Sequence, residues 1–329
     1  MTTTLTGVSR KRVLITVNPG LMGGEDFYTI NALVAALDEN CELTIATVGD
    51  YDFDSRKVRG WRRIAEGKFE DLGMLVPHAD LWIVYSDGYW LDARTLGFKS
   101  RMDFYKAQID LHYYHLACGN VGMIVNSLAS EQTTLKSWLA APEISDASII
   151  PTYCPHNFDE LRDLKKEKGI VVAKPVWGGA MLGISRLATD ADMDSFQAAL
   201  NVDHPYTTME SYCFQDYAPD PVEKRFYIAG GKCVGARHLT GRLVPWGTDD
   251  NERGCLYDER IDDHSRDRAA VDRLLKLSDL TMGSIDFVGP RINEINGGGT
   301  VFTYRENNAM VLDFRQPLVD SFLQILTRL

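Results

Sequence analysis

Toward its C-terminal end the chain carries Ile285-Asp286-Phe287-Val288-Gly289-Pro290-Arg291-Ile292-Asn293-Glu294-Ile295-Asn296, the stretch that decides its fold. Two runs of apolar residues flank Gly289-Pro290, a spacing that predicts a β-hairpin. Alternate side chains of a strand share a face, so Glu294 and Asn296 point one way, and Asp286 can lie across from them on the neighbouring strand. Three oxygen donors then converge, the partial shell that Mg2+ favours when water and phosphate oxygens complete it. Taken alone, the same residues also fit a solvated polar face on an edge hairpin.

Upstream, residues 130–140 (SEQTTLKSWLA) read as a helix carrying Lys136, IIPTYCP as a short strand, and DELRDLKKEKG as a charged amphipathic helix closed by Gly169. IVVAKPVWGGAMLGISRLA gives strand, glycine-rich turn and strand, a pair able to fold over a ligand as a lid. Lys174 leaves the first of these strands just before Trp177-Gly178-Gly179, where an ammonium can neutralise phosphate as a point cation. From Thr208 the chain turns strand-rich, with MESYCFQDYA followed by KRFYIAG and CVGARHLTGR around a Gly230-Gly231 turn. Glu223-Lys224-Arg225 opens this hairpin, setting two cations beside a carboxylate. LVPWGTDDNERGCLYDERIDD reads as irregular, and DHSRDRAAVDRLLKLSDLTMG as a helix with Val271, Leu274, Leu275 and Leu277 apolar. Singly, a lysine before proline or a charged strand end is an ordinary surface feature.

The opening of the chain reads differently. RVLITVN, a helical pattern over Asp26 to Leu37, and CELTIATVG form β-helix-β, and ADLWIVYSDG, a helix around Met102–Cys118 and NVGMIVNS repeat the alternation. Residues 1–125 are therefore expected to form a small open α/β domain on a parallel sheet. Pro19-Gly20-Leu21-Met22-Gly23-Gly24 matches no phosphate-loop pattern and reads as a turn or a substrate-contacting loop.

Composition bounds the rest. The 329 residues are 45% hydrophobic, enough for about two domains with a sizeable core. Lys plus Arg number 35 against 46 Asp plus Glu, and the resulting charge of −11 disfavours nucleic acid and anionic lipid as bulk partners. The six cysteines stand singly with no paired spacing, which suits reduced thiols in a cytoplasm. The start shows no signal-peptide core and no window approaches the ~18 apolar residues of a membrane span, so a cytoplasmic protein is expected.

Taken in order, Lys136, Lys174, Gln215-Asp216-Tyr217, Glu223-Lys224-Arg225, an arginine on the next strand, and Asp286 with Glu294-x-Asn296 resemble the ATP-grasp superfamily, most closely the glutathione-synthetase-like carboxylate–amine ligases. EKRFYI and DFVGPRINEIN carry the specific matches, and the resemblance covers roughly residues 120–300. It implies an α/β fold with α+β lobes: an N-terminal open parallel-sheet pre-ATP-grasp domain (1–125), a small lobe with the glycine-rich loop (126–207) and a large lobe with the Mg site (208–329).

By the same resemblance, ATP would be held by Lys136, Lys174, Trp177, Gly178, Gly179, Gln215, Tyr217, Glu223 and Lys224. Two Mg2+ ions, with Mn2+ as a substitute, would be held by Asp286, Glu294 and Asn296. Arg237, Arg242 and Arg253 would stabilise the transition state, and Arg225, Gly297 and Gly298 would hold the acid. Gly297-Gly298-Gly299-Thr300 replaces the Ser/Thr-Pro pair of glutathione synthetases, which argues against glutathione synthesis and offers a backbone anion nest instead. The implied activity is amide formation through an acylphosphate on a small amino acid, dipeptide or specialised-metabolite substrate. Small-molecule acid and amine partners are expected, and a homo-oligomer stays open. The alternatives are a synapsin-like regulatory or scaffold protein and an ATP-grasp kinase; both lysines and all three metal donors argue for catalysis.

Overall fold

In the computed structural model the described residues are 10–17, 29–65, 67–85, 96–99, 101–126, 133–144, 146, 148–176, 183–200, 208–218, 223–240, 256–260, 265–297, 302–306 and 309–329. They group into two compact units, residues 1–127 with 298–329, and residues 128–297.

In the first unit, β1 (Arg12–Val17), α1 (Thr29–Asn40) and β2 (Glu42–Thr47) form the expected crossover, and β1 and β2 pair in parallel from Arg12↔Glu42 to Val17↔Thr47. The β-branched run of β1 is buried because the sheet is covered there on both faces. The short β3 (Tyr51–Asp52) and the long hairpin β4 (Lys57–Ala65) and β5 (Lys68–Leu75) follow, then β6 (Ala79–Val84), α2 (Arg101–Ala117) and β7 (Val121–Val125). β6 lies parallel to both β1 and β7, whereas β3, β4 and β5 add antiparallel strands to this seven-stranded sheet. The parallel half matches the sequence reading. The antiparallel strands escaped it because Arg59, Arg62, Glu70 and Asp71 give them a salt-bridged, exposed face rather than an apolar alternation.

The second unit holds two sheets. The four-stranded one has the order β10-β9-β11-β8, from β8 (Thr152–Tyr153), β9 (Val171–Pro175), β10 (Ser185–Leu187) and β11 (Tyr212–Asp216). Helices α3 (Phe158–Lys168) and α4 (Asp190–Leu200) supply Leu161, Met193, Phe196 and Leu200 to its core around Phe214. Helix α3 starts where Asn157 accepts from the Glu160 N–H, carries Asp159 and Glu160 in its first turn and three lysines in its last, and stops at Gly169 with φ 79°.

The five-stranded sheet runs β14-β13-β12-β15-β16, from β12 (Glu223–Ala229), β13 (Lys232–Thr240), β14 (Leu256–Arg260), β15 (Met282–Val288) and β16 (Arg291–Asn296). Helix α5 (Ser265–Ser278) covers one face through Val271 and Leu274, against Phe226, Ile228, Ile285 and Phe287. β14 arises inside the stretch read as irregular, and the helix expected over 130–140 is a 3-10 helix at Lys136–Ala140 within the described part. Finally β17 (Thr303–Glu306), β18 (Ala309–Asp313) and α6 (Arg315–Arg328) group with the first unit, where α6 packs on α1. No helix among the described residues is long and apolar enough to cross a membrane.

Candidate functional site

The five-stranded sheet carries one transverse row of charge. Arg237 on β13 is the Cα partner of Arg225 on β12, Arg225 of Asp286 on β15, and Asp286 of Glu294 on β16. Directly opposed residues share a face, so two cations and two carboxylates stand side by side on the face away from α5. Asp286 is fully buried and grips Arg225 in a fork, Nε donating to Oδ1 at 2.7 Å and Nη2 to Oδ2 at 2.6 Å. One row along, Asn296 donates to Asp286 Oδ2 at 3.0 Å and to Ser284 Oγ at 3.3 Å. The strands approach so closely there that a Cβ on Gly283 would sit 2.0 Å from the Asn296 carbonyl oxygen.

The four-stranded sheet and the 3-10 helix beside it bring cations to the acidic end of this row. Lys136, 6% exposed, places Nζ 3.7 Å from Glu294, and its backbone N–H donates to the Val176 carbonyl. Lys174, 7% exposed, donates from Nζ to Asn293 Oδ1 at 2.6 Å. The register of β15 and β16 slips between Asp286 and Phe287, because Asp286 faces Glu294 while Phe287 faces Ile292; Asn293 is the extra residue of a bulge. That bulge aims the Asn293 side chain at Lys174 and its carbonyl at Gln215, whose Nε2 donates to it at 3.1 Å. Backbone bonds from Ile150 to the Ile292 carbonyl and from Ile292 to the Ser148 carbonyl hold the same edge.

Electrostatics follow from this packing. Burial pushes the Glu294 carboxyl up, but Lys136, Lys174 and Arg225 together hold it well below the usual carboxylate range. Burial lowers the Lys174 ammonium against the pull of Glu294. Burial opposes the charge on Arg225 as well, and the fork to Asp286 overcomes it, leaving the guanidinium firmly charged. Gln215 Oε1 is a buried acceptor with no hydrogen-bond partner among the described residues.

No family model matches the sequence, and no curated protein does. Solved structures do match, over nearly the whole length. The ATP-grasp ligase PsnB, complexed with a phosphomimetic variant of minimal precursor, Mg and ADP, is similar with a TM-score of 0.60 at 16% identity, covering 97% of this chain and 100% of that one. A RiPP-associated ATP-grasp ligase of Chryseobacterium gregarium, in complex with ADP and a leader and core peptide, gives 0.60 at 16%, with 97% of each chain covered. D-cycloserine synthetase DcsG gives 0.60 at 14%, covering 96% of this chain and 99% of that one. The chain has the ATP-grasp fold.

Of the residues expected from the ATP-grasp resemblance, Lys136, Lys174, Gln215, Arg225, Arg237, Asp286, Glu294 and Asn296 meet along the row and its acidic end. Glu223 is buried on the Arg225 face of β12, two residues along, and Gly297 is buried directly after Asn296. Tyr217 follows β11 with the Arg186 guanidinium 5.2 Å over its ring. Lys224 is not brought into the group. Strand alternation sends it to the opposite face, where it pairs with Asp267 of α5 and lies over Phe287. Trp177, Gly178, Gly179, Arg242, Arg253 and Gly298 lie outside the described residues. Asn293 is the residue that sequence reasoning missed: no local signal marks a bulge whose purpose is tertiary.

The donor chemistry at the acidic end of the row fits Mg2+. Asp286 and Glu294 are hard anionic oxygen ligands, and Asn296 spends its amide N–H groups on Asp286 and Ser284, leaving its carbonyl oxygen as the third donor. Among the described residues no group of three or more His, Cys, Asp or Glu side chains is placed to hold a metal.

Proposed function

We propose that this chain is an ATP- and Mg2+-dependent ligase that joins a carboxylate to an amine and releases ADP and phosphate. The observation that carries the reading is the row Arg237–Arg225–Asp286–Glu294 with buried Lys136 and Lys174 at its acidic end. Burying so many charges costs stability that ion pairing only partly offsets, and such clusters gather at functional sites. Two arginines and two lysines flanking two carboxylates suit a polyphosphate whose terminal oxygens share a divalent ion.

Lys136 and Lys174 would hold the inner phosphates of ATP, and the Trp177-Gly178-Gly179 turn would close over the outer one. Gln215 to Tyr217 would meet the adenine edge and Glu223 the ribose. Mg2+ on Asp286, Glu294 and Asn296 would neutralise charge on the terminal phosphates. Arg225 and Arg237 stand beside these donors to orient the substrate acid and stabilise charge on the transferring phosphoryl group, with Arg242 and Arg253 as further candidates. A carboxylate oxygen attacks the γ-phosphorus, the bond to the β-bridging oxygen breaks and ADP leaves. The amine then attacks the acyl carbon, phosphate departs, and the amine's proton passes to solvent. Gly297-Gly298 would offer backbone N–H groups to the acid.

For the substrate, a small amino or metabolite acid is the first reading, in line with the D-cycloserine synthetase likeness. A peptide carboxylate is the second, favoured because PsnB and the Chryseobacterium gregarium ligase were captured with precursor or leader and core peptides. The test is phosphate release from ATP and Mg2+ with pooled acids or an Asp/Glu-rich peptide library, each with and without amines. Release that needs both an acid and an amine is the expected result. Release indifferent to amine, as for a kinase, or nucleotide binding without turnover, as for a scaffold, overturns the ligase.

A further inference from the structure

The ladder that positions Gln215 also brings two cysteines together. Phe214 faces Tyr153 and Gln215 faces Thr152 across β11 and β8, so the next step along the same register sets Cys213 opposite Cys154. Asp216 N–H donates to the Pro151 carbonyl at 3.1 Å, which makes 216/151 and 214/153 the hydrogen-bonded pairs of this ladder. The 215/152 and 213/154 pairs are then of the non-hydrogen-bonded kind, where opposed Cα atoms lie about 4.5 Å apart and side chains are closest. Gln215 Nε2 reaches Thr152 Oγ1 at 3.1 Å, so side chains of such a pair meet on this face; the two cysteines, two residues further along each strand, share it.

Both thiols are free, Cys154 exposed and Cys213 at 0% exposure. They also feel one another. Burial pushes the Cys213 thiol up to about 12, Lys174 pulls it down, and charge on Cys154 pushes it up again.

We propose that Cys154 and Cys213 form a redox-active dithiol that closes reversibly into a cross-strand disulfide. The exposed Cys154 thiolate attacks one sulfur of a low-molecular-weight disulfide, forming a mixed disulfide and expelling one small thiolate, which takes up the Cys154 proton. Cys213 then attacks the Cys154 sulfur and expels the second small thiolate, which takes up the Cys213 proton. One small disulfide is reduced to two thiols for each protein disulfide formed. The opposed Cα spacing of about 4.5 Å usual for such a pair lies within the about 4.4–6.8 Å that disulfides span, so the bond needs no backbone movement to close or reopen. Cys213 is the cross-strand partner of Lys174, so the bond closes beside the buried ammonium. The dithiol is independent of whether the chain is a ligase.

The experiment equilibrates the full chain with mixtures of oxidised and reduced glutathione, counts thiols and maps the linkage by non-reducing peptide mass spectrometry. The Cys154 and Cys213 thiols should disappear into a link between them and return on reduction, whatever separate adduct the exposed Cys118 forms. Cys213→Ser should stop at a stable glutathione adduct on Cys154, and Cys154→Ser should leave Cys213 unreacted. A persistent glutathione adduct on Cys154 in the unsubstituted chain, a link between other cysteines, or undiminished loss of Cys213 in Cys154→Ser overturns the proposal. The mapping of the unsubstituted chain stands even where a variant fails to fold.

Discussion

Breaking the fork between Arg225 and Asp286 should cost far more from one side than from the other. Asp286 is 0% exposed in its side chain while Arg225 keeps 24% exposure. Arg225→Met therefore strands a carboxylate with no route to water, a loss of about 3–5 kcal/mol. Asp286→Asn removes a charge but leaves an amide that still accepts from a guanidinium partly in solvent, which should cost about 1–3 kcal/mol. In the double variant no charge is stranded, so its loss should fall short of the sum by about 1–3 kcal/mol, the coupling expected of residues in contact. For a unit of this size 1 kcal/mol shifts Tm by about 2–4 °C, so Arg225→Met should melt about 6–20 °C lower. Ligand-free thermal and urea unfolding of the four proteins measures this without reference to activity. If the two substitutions add within about 0.5 kcal/mol, or Arg225→Met costs less than about 1 kcal/mol, the row does not hold charge as described.

Glu294→Gln should abolish turnover and flatten the acid limb of stability. A carboxyl held below its unfolded value stabilises the fold above about pH 4.5 and loses that contribution as pH falls through the folded value, so the gap between parent and variant should be widest near neutrality and close on acidification. Lys174→Met should weaken ATP binding about 10–150-fold by calorimetry, the worth of a charge-assisted hydrogen bond, whereas Lys224→Met, on the opposite face, should leave the affinity within about threefold. Gly283→Ala would force a Cβ to 2.0 Å from the Asn296 carbonyl and should lose more than about 4 kcal/mol or fail to fold. Gly231→Ala, with φ 70° but its nearest neighbour, the Leu280 carbonyl oxygen, at 4.0 Å, should cost only about 1–2 kcal/mol in urea melts.

What was legible in the sequence was whatever repeats locally. The β-branched run of β1 and the helix after it announce a parallel crossover, and strand alternation puts Glu294 and Asn296 on one face; Asp286 joins them only because the bulge at Asn293 shifts the register. The same alternation separates Lys224 from Glu223 and Arg225, a signal present in the sequence that the family pattern obscured. The hairpin β4–β5 was hidden because its exposed arginines and acids mask the apolar period, and β14 because two apolar or aromatic residues followed by three charged ones show no alternation. Burial of Lys136 and Lys174 could not be read from residues that usually lie at the surface; it follows from the way two sheets meet at Asn293.

That bulge has a thermodynamic consequence. Asn293 engages Lys174 Nζ through its side-chain oxygen and Gln215 Nε2 through its backbone carbonyl. Asn293 takes one of the ammonium's three N–H donors, so an anion can bind Lys174 without displacing it. The lysine is thus ordered before a ligand arrives, and less rotamer entropy is lost on binding.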